Sequence, residues 1–338
     1  MIKKQRILNS LNHKESDIIP YQVDFTIEEH RKMAVFLNDD HFEDKIENHI
    51  HRIRWNDVNE ELPDKKGHFR DFFGAVWNRS GVDKDIGVID DPVFKNPDIS
   101  LFTLPRVNPS LAIPLMEEDL KIKSDHFIIG DIGFSLFERA WSLRGFQNLL
   151  TDMVLDPVFV HELLDEICEA NIEVIKLYED YPVDGFYFGD DWGQQHGLIM
   201  GPANWREFIL PRLKRMYDQC HSQGLYVMQH SCGDISEIFP DLIDAGLNAY
   251  NTVQPEIYDL NKLKKEYGND LTFWGAISTQ ALLPFATPEV VSSETRRIMD
   301  ILGKNGGYIA APTHAVPYDV PCENIVAMLD VFKNQEKK

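Results

Sequence analysis

His230 and Cys232 stand two residues apart at the end of an apolar segment, Leu225-Tyr-Val-Met-Gln-His-Ser-Cys-Gly233. The β-branched and aromatic residues before them predict a buried strand, and side chains two residues apart on an extended chain point to the same side. An imidazole and a thiolate aimed at one point are ligands that Zn²⁺ prefers. The same pair is also compatible with a buried cysteine beside a hydrogen-bonded histidine. The surrounding elements must therefore be considered before a metal site is assigned.

These elements alternate between strands and helices. After residue 125, strand patterns begin near residues 126, 185, 225, 249, 271 and 307, and each is followed by a helical pattern. Residues 18–25 predict one earlier strand. Such alternation is typical of βαβ units that build a parallel sheet. We therefore predict an α/β fold of the (β/α)₈ TIM barrel type, with one distorted early strand.

The N-terminal part of the chain is less regular. Residues 27–58 have a helical pattern, whereas residues 62–125 are rich in turns and contain six prolines, at positions 63, 92, 97, 105, 109 and 114. A long segment of this kind usually covers or caps a site. We expect one domain, residues 1–338, in which residues 26–125 form a helical and irregular cap over the barrel mouth.

Composition excludes several classes of protein. Apolar residues make up 43% of the chain, and 34 basic against 55 acidic residues give a net charge of −21. Such a charge disfavours binding to nucleic acid or to anionic membranes. The four cysteines have no regular spacing, and the first ten residues predict an amphipathic helix rather than a signal peptide. We expect a cytoplasmic protein with a small-molecule substrate.

The carboxyl ends of the predicted strands carry most of the polar candidates, and active sites of TIM barrels lie at those ends. His314 follows the last strand, in Ala310-Ala-Pro-Thr-His314. Because all strand ends face one mouth, His314 is a candidate third zinc ligand beside His230 and Cys232. The alternative is a loop histidine exposed to solvent.

Carboxylates follow two other predicted strands. Asp190 and Asp191 are adjacent, so one is expected to face the pocket and the other to cap the next turn. Asp191 is our first candidate for a proton donor and Glu256 the second, and either acid is also a candidate to complete the metal coordination. Further residues near the rim are predicted to bind substrate: Asp190, Trp192, Gln194, Gln254 and Trp77.

Six short motifs are distributed over nearly the whole chain: Arg6-Ile-Leu-Asn-Ser-Leu-Asn-His-Lys-Glu15, Asp190-Asp-Trp-Gly-Gln-Gln195, Trp205-Arg-Glu-Phe208, His230-Ser-Cys-Gly233, Asp259-Leu260 and Asn324-Ile325. They resemble motifs of the uroporphyrinogen decarboxylase superfamily, and within it those of the cobamide-dependent methyltransferases. The family fold is a (β/α)₈ barrel, in agreement with the pattern of elements. Decarboxylases carry an Arg-Gln-Ala-Gly-Arg motif that grips substrate carboxylates, but the corresponding region here reads Pro20-Tyr-Gln-Val-Asp-Phe25.

The resemblance implies a specific reaction. Its methyltransferase branch holds zinc with a His-x-Cys pair and a later Cys, whose position falls near His314 in this chain. A histidine there implies activation of an oxygen-bound methyl donor, as in O-demethylase systems. The implied enzyme moves a methyl group from a small methoxylated donor to the corrinoid (cobamide) of a separate carrier protein. Zinc would polarise the ether oxygen and a carboxylic acid would protonate the leaving group.

Three other functions remain open. The first is a uroporphyrinogen-decarboxylase-like lyase without metal, and the second is a methylcobamide:thiol methyltransferase. The third is a non-catalytic protein that binds a corrinoid or a tetrapyrrole. A stoichiometric zinc assay separates the metal-dependent enzymes from the other two.

Overall fold

The computed structural model describes residues 1–56, 60–80, 87–121 and 125–336. The strands are β1 (Ile50–Ile53), β2 (Glu60–Glu61), β3 (His68–Arg70), β4 (Val76–Asn78), β5 (Val88–Asp91), β6 (Phe127–Ile132), β7 (Gly185–Gly189), β8 (Gly193–Gln194), β9 (Gly197–Leu198), β10 (Tyr226–His230), β11 (Ala249–Thr252), β12 (Thr272–Ile277) and β13 (Tyr308–Pro312). The helices are α1 (Lys3–Leu11), α2 (Ile27–Leu37), α3 (Pro109–Asp119), α4 (Phe137–Arg144), α5 (Phe146–Leu155), α6 (Pro157–Leu177), α7 (Gly201–Asn204), α8 (Leu210–Ser222), α9 (Phe239–Asp244), α10 (Leu260–Tyr267), α11 (Leu282–Phe285), α12 (Pro288–Leu302) and α13 (Cys322–Lys333). Within these ranges no helix has the length and apolar character needed to cross a membrane.

A parallel sheet forms the centre of the α/β fold, with the strand order β1-β6-β7-β10-β11-β12-β13. Every residue of β7, β11, β12 and β13 is buried, as expected for parallel strands that are covered on both faces. Six of the seven strands follow residue 125, which confirms the predicted alternation of strands and helices. The long helix α6 begins at Pro157 and packs one apolar face against α8 and α5.

Residues 20–25 lie between the two edge strands of this sheet. Tyr21 forms a parallel bridge with β13, and its carbonyl accepts a hydrogen bond of 3.2 Å from the backbone N–H of His49, just before β1. The side chain of Asn48 bonds to both the N–H and the carbonyl of Val23, each at 2.9 Å. The strand predicted at residues 18–25 is therefore an extended segment with isolated bridges, held beside β1 largely by side-chain hydrogen bonds.

Two predictions for the N-terminal region were wrong. Residues 27–58 are not one helical segment, because α2 ends where Asn38 adopts a left-handed conformation with φ of 50°. The first strand, β1, follows within the predicted helical range, since the spacing of Ile50 and Ile53 also fits a helical period. Residues 62–125, predicted to be turn-rich and irregular, contain the helix α3, which Asn108 caps at its N-terminus.

Apolar side chains fill the interior below the carboxyl ends of the strands. Ile50, Met228 and Ile309 come from β1, β10 and β13 and are buried in one cluster. Ile7 and Leu11 of α1 belong to the same cluster and are 0% and 5% exposed. Helix α1 therefore closes the amino-end side of the sheet, and the space left for a ligand lies at the other end.

The strands β2 to β5 form a separate antiparallel sheet that attaches beside the end of β6. Trp77 of β4 packs edge-on against Phe134 and Trp141, with ring centres 5.4 and 5.9 Å away. Asp71 accepts hydrogen bonds from Trp77 Nε1 at 3.0 Å and from Arg139 at 2.6 Å. This sheet is thus anchored to α4 and to the loop before it. The broader prediction that residues 26–125 cap the barrel mouth stays a prediction.

We expect Ile7→Ala to lower the free energy of unfolding by about 2–4 kcal/mol, because it leaves a cavity at a fully buried position of α1. Urea unfolding followed by circular dichroism measures the change. Ile2→Ala removes the same atoms from a side chain that is 57% exposed and is the matched control. Equal midpoints for the two variants would show that α1 does not hold the interior together.

Candidate active site

The strand β10 and the turn after it bring three potential metal ligands together. One ligand atom each from Asp191, His230 and Cys232 lies within 4.8 Å of the other two. His230 Nε2 is 3.4 Å from Asp191 Oδ1 and 3.6 Å from Cys232 Sγ. The predicted convergence of His230 and Cys232 is therefore present in the structure, and Asp191 joins them.

These spacings fit a tetrahedral metal ion. With bonds of about 2.0–2.3 Å, a tetrahedral zinc site separates its ligand atoms by roughly 3.3–3.8 Å. The two distances from His230 Nε2 fall within that range. Nitrogen, sulfur and carboxylate oxygen are also ligand types that zinc accepts. By position and chemistry, the three side chains can hold zinc with one coordination position left for a substrate atom.

Asn251 orients the imidazole of His230. Its Oδ1 lies 2.6 Å from His230 Nδ1 and accepts a hydrogen bond of 3.1 Å from Tyr187, while its Nδ2 donates to the carbonyl of Trp274 at 2.8 Å. Because Nδ2 is engaged with a carbonyl, Oδ1 faces His230 and accepts the Nδ1 proton. The other ring nitrogen, Nε2, faces Asp191 and Cys232. Burial lowers the pKa of His230, but Tyr187, Asp191 and Cys232 outweigh it and raise that pKa well above its usual range, so without metal Nε2 carries a proton directed at Asp191. A metal ion would take the place of that proton while Asn251 holds Nδ1. Metal-bound histidines commonly have such a partner.

Close backbone contact fixes the turn that carries Cys232. Gly233 has φ of 80°, and a Cβ there would lie 2.2 Å from the carbonyl carbon of Gly193, so only glycine fits this approach. The Asp191 carboxylate accepts a hydrogen bond of 2.7 Å from the Cys232 N–H, and Gln254 Oε1 accepts one of 2.7 Å from the Gly233 N–H. Gln254 therefore supports the turn and does not line the cavity described below, contrary to its predicted contact with substrate. The predicted turn at Gly233 thus holds Cys232 against Asp191.

Charge in the cluster follows from burial and mutual contact. Burial opposes ionisation of Asp191, but His230 and the Cys232 N–H outweigh it and lower the pKa of Asp191 to about 2. Asp191 is therefore a carboxylate at neutral pH and has no proton to donate. Burial raises the pKa of Cys232, although His230 opposes the shift. A buried thiol of this kind ionises when a cation binds to it.

Asp190 stabilises the fold and does not face the cavity. Its carboxylate is completely buried and accepts hydrogen bonds from the N–H groups of Phe137 and Glu138, at 2.9 and 2.7 Å. It thereby caps α4, an earlier element of the chain, whereas one of the two adjacent aspartates was predicted to cap the turn that follows them. Trp192 is also fully buried, donates its Nε1 proton to Asp190 at 2.6 Å and packs against Trp205. Neither side chain lines the cavity described next, so the structure does not support their predicted contact with substrate.

The cluster opens onto a cavity of about 330 Å³ at the carboxyl ends of the strands. Asp191 and His230 form one side of its wall. Aromatic rings and a guanidinium contribute much of the remainder, together with several polar groups. The residues that shape the cavity are Asp24, Arg52, Phe134, Glu138, Tyr187, Asn251, Trp274 and His314.

His314 faces this cavity, yet it is not part of the three-residue cluster. The ring centres of His230 and His314 are 5.7 Å apart. Asp191 occupies the third position that the sequence suggested for His314. A ligand role for His314 stays a prediction, while its place on the cavity wall is a feature of the structure.

Three further predicted site residues lie outside the cavity wall. Glu256 is exposed and its carboxylate accepts a hydrogen bond from Ser278, and the side chain of Gln194 is exposed on the β8–β9 hairpin. Trp77 is buried behind Phe134, a wall residue. The prediction that Glu256 acts beside the metal ligands is not supported by this arrangement.

Sequence reasoning missed several wall residues, among them Asp24, Arg52, Glu138 and Asn251. Arg52 and Asp24 lie in segments whose structure was wrongly or incompletely predicted, and Asn251 was treated only as part of a strand. Glu138 is the second residue of α4 and lies near Asp190 and Asp191. Burial and these two carboxylates raise the pKa of Glu138 well above its usual range. One signal was available, because Asn251 lies near the carboxyl end of the strand that follows the strand of His230.

The sequence profile of the uroporphyrinogen decarboxylase family (URO-D) matches residues 112–335. The chain belongs to the uroporphyrinogen decarboxylase family. The predicted family is thereby confirmed. The matched region contains Asp191, His230 and Cys232, whereas Asp24 and Arg52 precede it. One side of the cavity wall thus comes from the region that matches the family profile, and the other side comes from residues that precede that region.

Relatives in the family have different activities. The chain is 23% identical over 197 residues to the methylated-thiol–coenzyme M methyltransferase of Methanosarcina mazei, a match that covers 58% of this chain and 50% of that protein. It is 24% identical over 270 residues to the uroporphyrinogen decarboxylase of Methylococcus capsulatus, with 71% of each covered. A methyltransferase from Methanosarcina mazei shares the fold, with a TM-score of 0.72 over 98% of both chains at 18% identity. The match spans only half of the first relative, so the reaction has to be argued from the site.

We expect Asn251→Ala to weaken zinc binding about 10- to 100-fold, because His230 loses the acceptor that fixes its tautomer and ring orientation. Competition with a chromogenic zinc chelator measures the affinity. Asn261→Ala, on the exposed surface of α10, is the matched control. Unchanged affinity in Asn251→Ala, with the fold intact by circular dichroism, would show that Asn251 does not position His230.

Proposed function

We propose that the protein is a zinc-dependent methyltransferase that moves a methyl group from a small methoxylated donor to a corrinoid protein. The observation that carries the proposal is the convergence of ligand atoms from Asp191, His230 and Cys232, all within 4.8 Å of one another, beside a ligand-sized cavity. The family contains a protein named as a methyltransferase with which this chain shares sequence. A lyase that works without metal has no evident use for such a cluster.

Different residues would have different roles in the proposed reaction. Asp191, His230 and Cys232 would hold zinc, and Asn251 would keep the His230 lone pair directed at it. When bound there, zinc supplies Lewis acidity to the ether oxygen of the donor, so that the departing alkoxide or phenoxide is a better leaving group. Glu138 on the cavity wall replaces Asp191 as the proposed proton donor to that oxygen.

The size of the cavity favours a small donor. At about 30 Å³ for each water-sized group, the cavity volume of 330 Å³ accommodates roughly a dozen non-hydrogen atoms. That number suits a methoxylated benzene ring, whereas a tetrapyrrole ring alone exceeds it. Tyr187, Trp274 and Phe134 offer apolar faces for such a ring. We therefore place the corrinoid on a partner protein that meets the donor at the cavity mouth.

A second candidate function is methyl transfer that involves a thiol. It is favoured by the name of the Methanosarcina mazei relative, a methylated-thiol–coenzyme M methyltransferase. The ligand set argues for an oxygen-bound donor, because Asp191 and His230 accompany a single thiolate ligand, Cys232. Fewer thiolates donate less charge to zinc and leave it a stronger Lewis acid for oxygen.

The site would lie within one barrel domain. We propose that residues 1–338 form one (β/α)₈ barrel domain in which residues 20–25 take the eighth strand position. The contacts of residues 20–25 with β13 on one side and with the residues before β1 on the other support this position. Residues 26–125 would then form the cap over the mouth, with the antiparallel sheet anchored at Asp71 and Trp77.

We expect protein purified without added metal to contain one zinc per chain, and Cys232→Ala to lose it, because two ligands do not complete a tetrahedral site. Inductively coupled plasma mass spectrometry gives the stoichiometry. Cys322→Ala is the matched control, since this buried cysteine lies at the start of α13, away from the cluster. One tightly bound zinc in Cys232→Ala would rule out the assigned centre.

The reaction itself is tested with methoxybenzene as the donor and a reduced corrinoid protein as the acceptor. We expect zinc-loaded protein to methylate the corrinoid, as followed by its absorbance change, and chelated protein to be inactive because the leaving group is no longer activated. Transfer from methylated thiols alone would favour the second candidate. Full transfer after verified removal of zinc would contradict both.

A further inference from the structure

A partly buried ionic group lies in the cavity, on the part of the wall that the N-terminal residues form. Arg52 projects inward from β1 and its guanidinium stands over the ring of Tyr187, at 4.7 Å from the ring centre. Its Nη2 donates a hydrogen bond of 3.1 Å to Asp24, and its Nη1 lies 3.9 Å from Asp131. The Arg52 side chain is 34% exposed, so it is accessible from the cavity. An arginine in a small cavity would ordinarily suggest a site for a carboxylate.

Two carboxylates already balance this arginine. Asp24 lines the same cavity, and Gln22 holds it in place by donating a hydrogen bond of 3.0 Å to its Oδ1. Asp131 adds a second acidic group on the other side of Arg52. Even if Asp131 carries a proton, Asp24 cancels the charge of Arg52. The positive charge that a carboxylated ligand would seek is therefore masked.

The remaining wall does not restore a positive charge. Glu138 and Asp191 are acidic, and with zinc the two anionic ligands Asp191 and Cys232 would neutralise the ion. A ligand carboxylate would have to displace Asp24 from Arg52 and leave that aspartate close to a second negative charge. Such an exchange desolvates a carboxylate without gaining a new charge pair.

We propose that Asp24 is a specificity-determining residue that masks Arg52 and restricts the cavity to donors without a carboxylate. The inference rests on the proposed function for the identity of the donor, and it narrows the donor to uncharged methoxylated aromatics. Asp24 acts through Arg52 and not on the methyl group. The masking group and the metal ligands lie on different parts of the cavity wall and can be varied separately.

The test compares two compounds that differ only by a carboxylate, methoxybenzene and 4-methoxybenzoate. Binding to zinc-loaded protein is measured by isothermal titration calorimetry without a corrinoid protein, so that no turnover is needed. We expect wild type to bind methoxybenzene at least about tenfold more tightly, the loss expected when a charged group lacks its partner. Equal or tighter binding of 4-methoxybenzoate by wild type would overturn the proposal.

Asp24→Asn should reverse the preference, because Arg52 loses its anionic partner while the amide that replaces the carboxylate keeps a similar shape. The Nη2 of Arg52 loses its anionic acceptor in this variant, so a ligand carboxylate becomes its best acceptor. We expect 4-methoxybenzoate to bind at least about tenfold more tightly than to wild type, a gain of one charge-assisted hydrogen bond. Asp218→Asn removes the same charge from the exposed surface of α8 and should change neither affinity.

The double variant Asp24→Asn, Arg52→Gln should bind 4-methoxybenzoate less tightly than Asp24→Asn does. That loss would identify Arg52 as the group that binds the carboxylate once Asp24 no longer pairs with it. Tighter binding of 4-methoxybenzoate by both Asp24→Asn and the double variant would refute the role of Arg52. An unchanged affinity for 4-methoxybenzoate in Asp24→Asn would refute the role of Asp24. Failure of the proposed function has a different signature. In that case methyl transfer to the corrinoid protein is absent although the binding preference and its reversal are observed.

Discussion

Parallel pairing of three adjacent strands determines where the chemistry can take place. The register sets His230 of β10 beside Gly189 of β7 on one side and Asn251 of β11 on the other. Glycine at 189 adds no side chain to the cavity that it borders, and asparagine at 251 supplies the acceptor that His230 needs. A shift of one residue would turn each of these side chains to the opposite face of the sheet. The candidate metal centre thus depends on register before it depends on any individual ligand.

The features of this site that depend on residues close together in the sequence were predicted. The His-x-Cys spacing on an extended chain brought His230 and Cys232 together, and regular alternation after residue 125 predicted the parallel sheet. The third member of the cluster depended on contacts across strands. Asp190 and Asp191 are equivalent in the sequence, and only the packing of α4 shows that Asp190 caps a helix while Asp191 faces His230. His314 has a suitable position at a strand end, but its ring centre is 5.7 Å from that of His230.

The N-terminal part was the hardest to predict for physical reasons. β1 has four residues, and its two outer isoleucines are spaced as on a helix. Residues 20–25 make isolated bridges and side-chain hydrogen bonds, which leave no alternating pattern in the sequence. Both segments nevertheless supply cavity residues, Asp24 and Arg52. Short or irregular strands carry little pattern, so the wall that they form is not visible until the chain is folded.

The apolar cluster around Ile7 and Leu11 has a kinetic consequence. Within the described residues it fills the interior below the cavity, so the opening of the cavity lies at the carboxyl ends of the strands. Small molecules that enter and leave must use the same opening, and any macromolecule that reacts there must stand in front of it. A reaction with such a second reactant would therefore follow a compulsory order. The small substrate would have to enter first, and its product would be retained until the macromolecule had left.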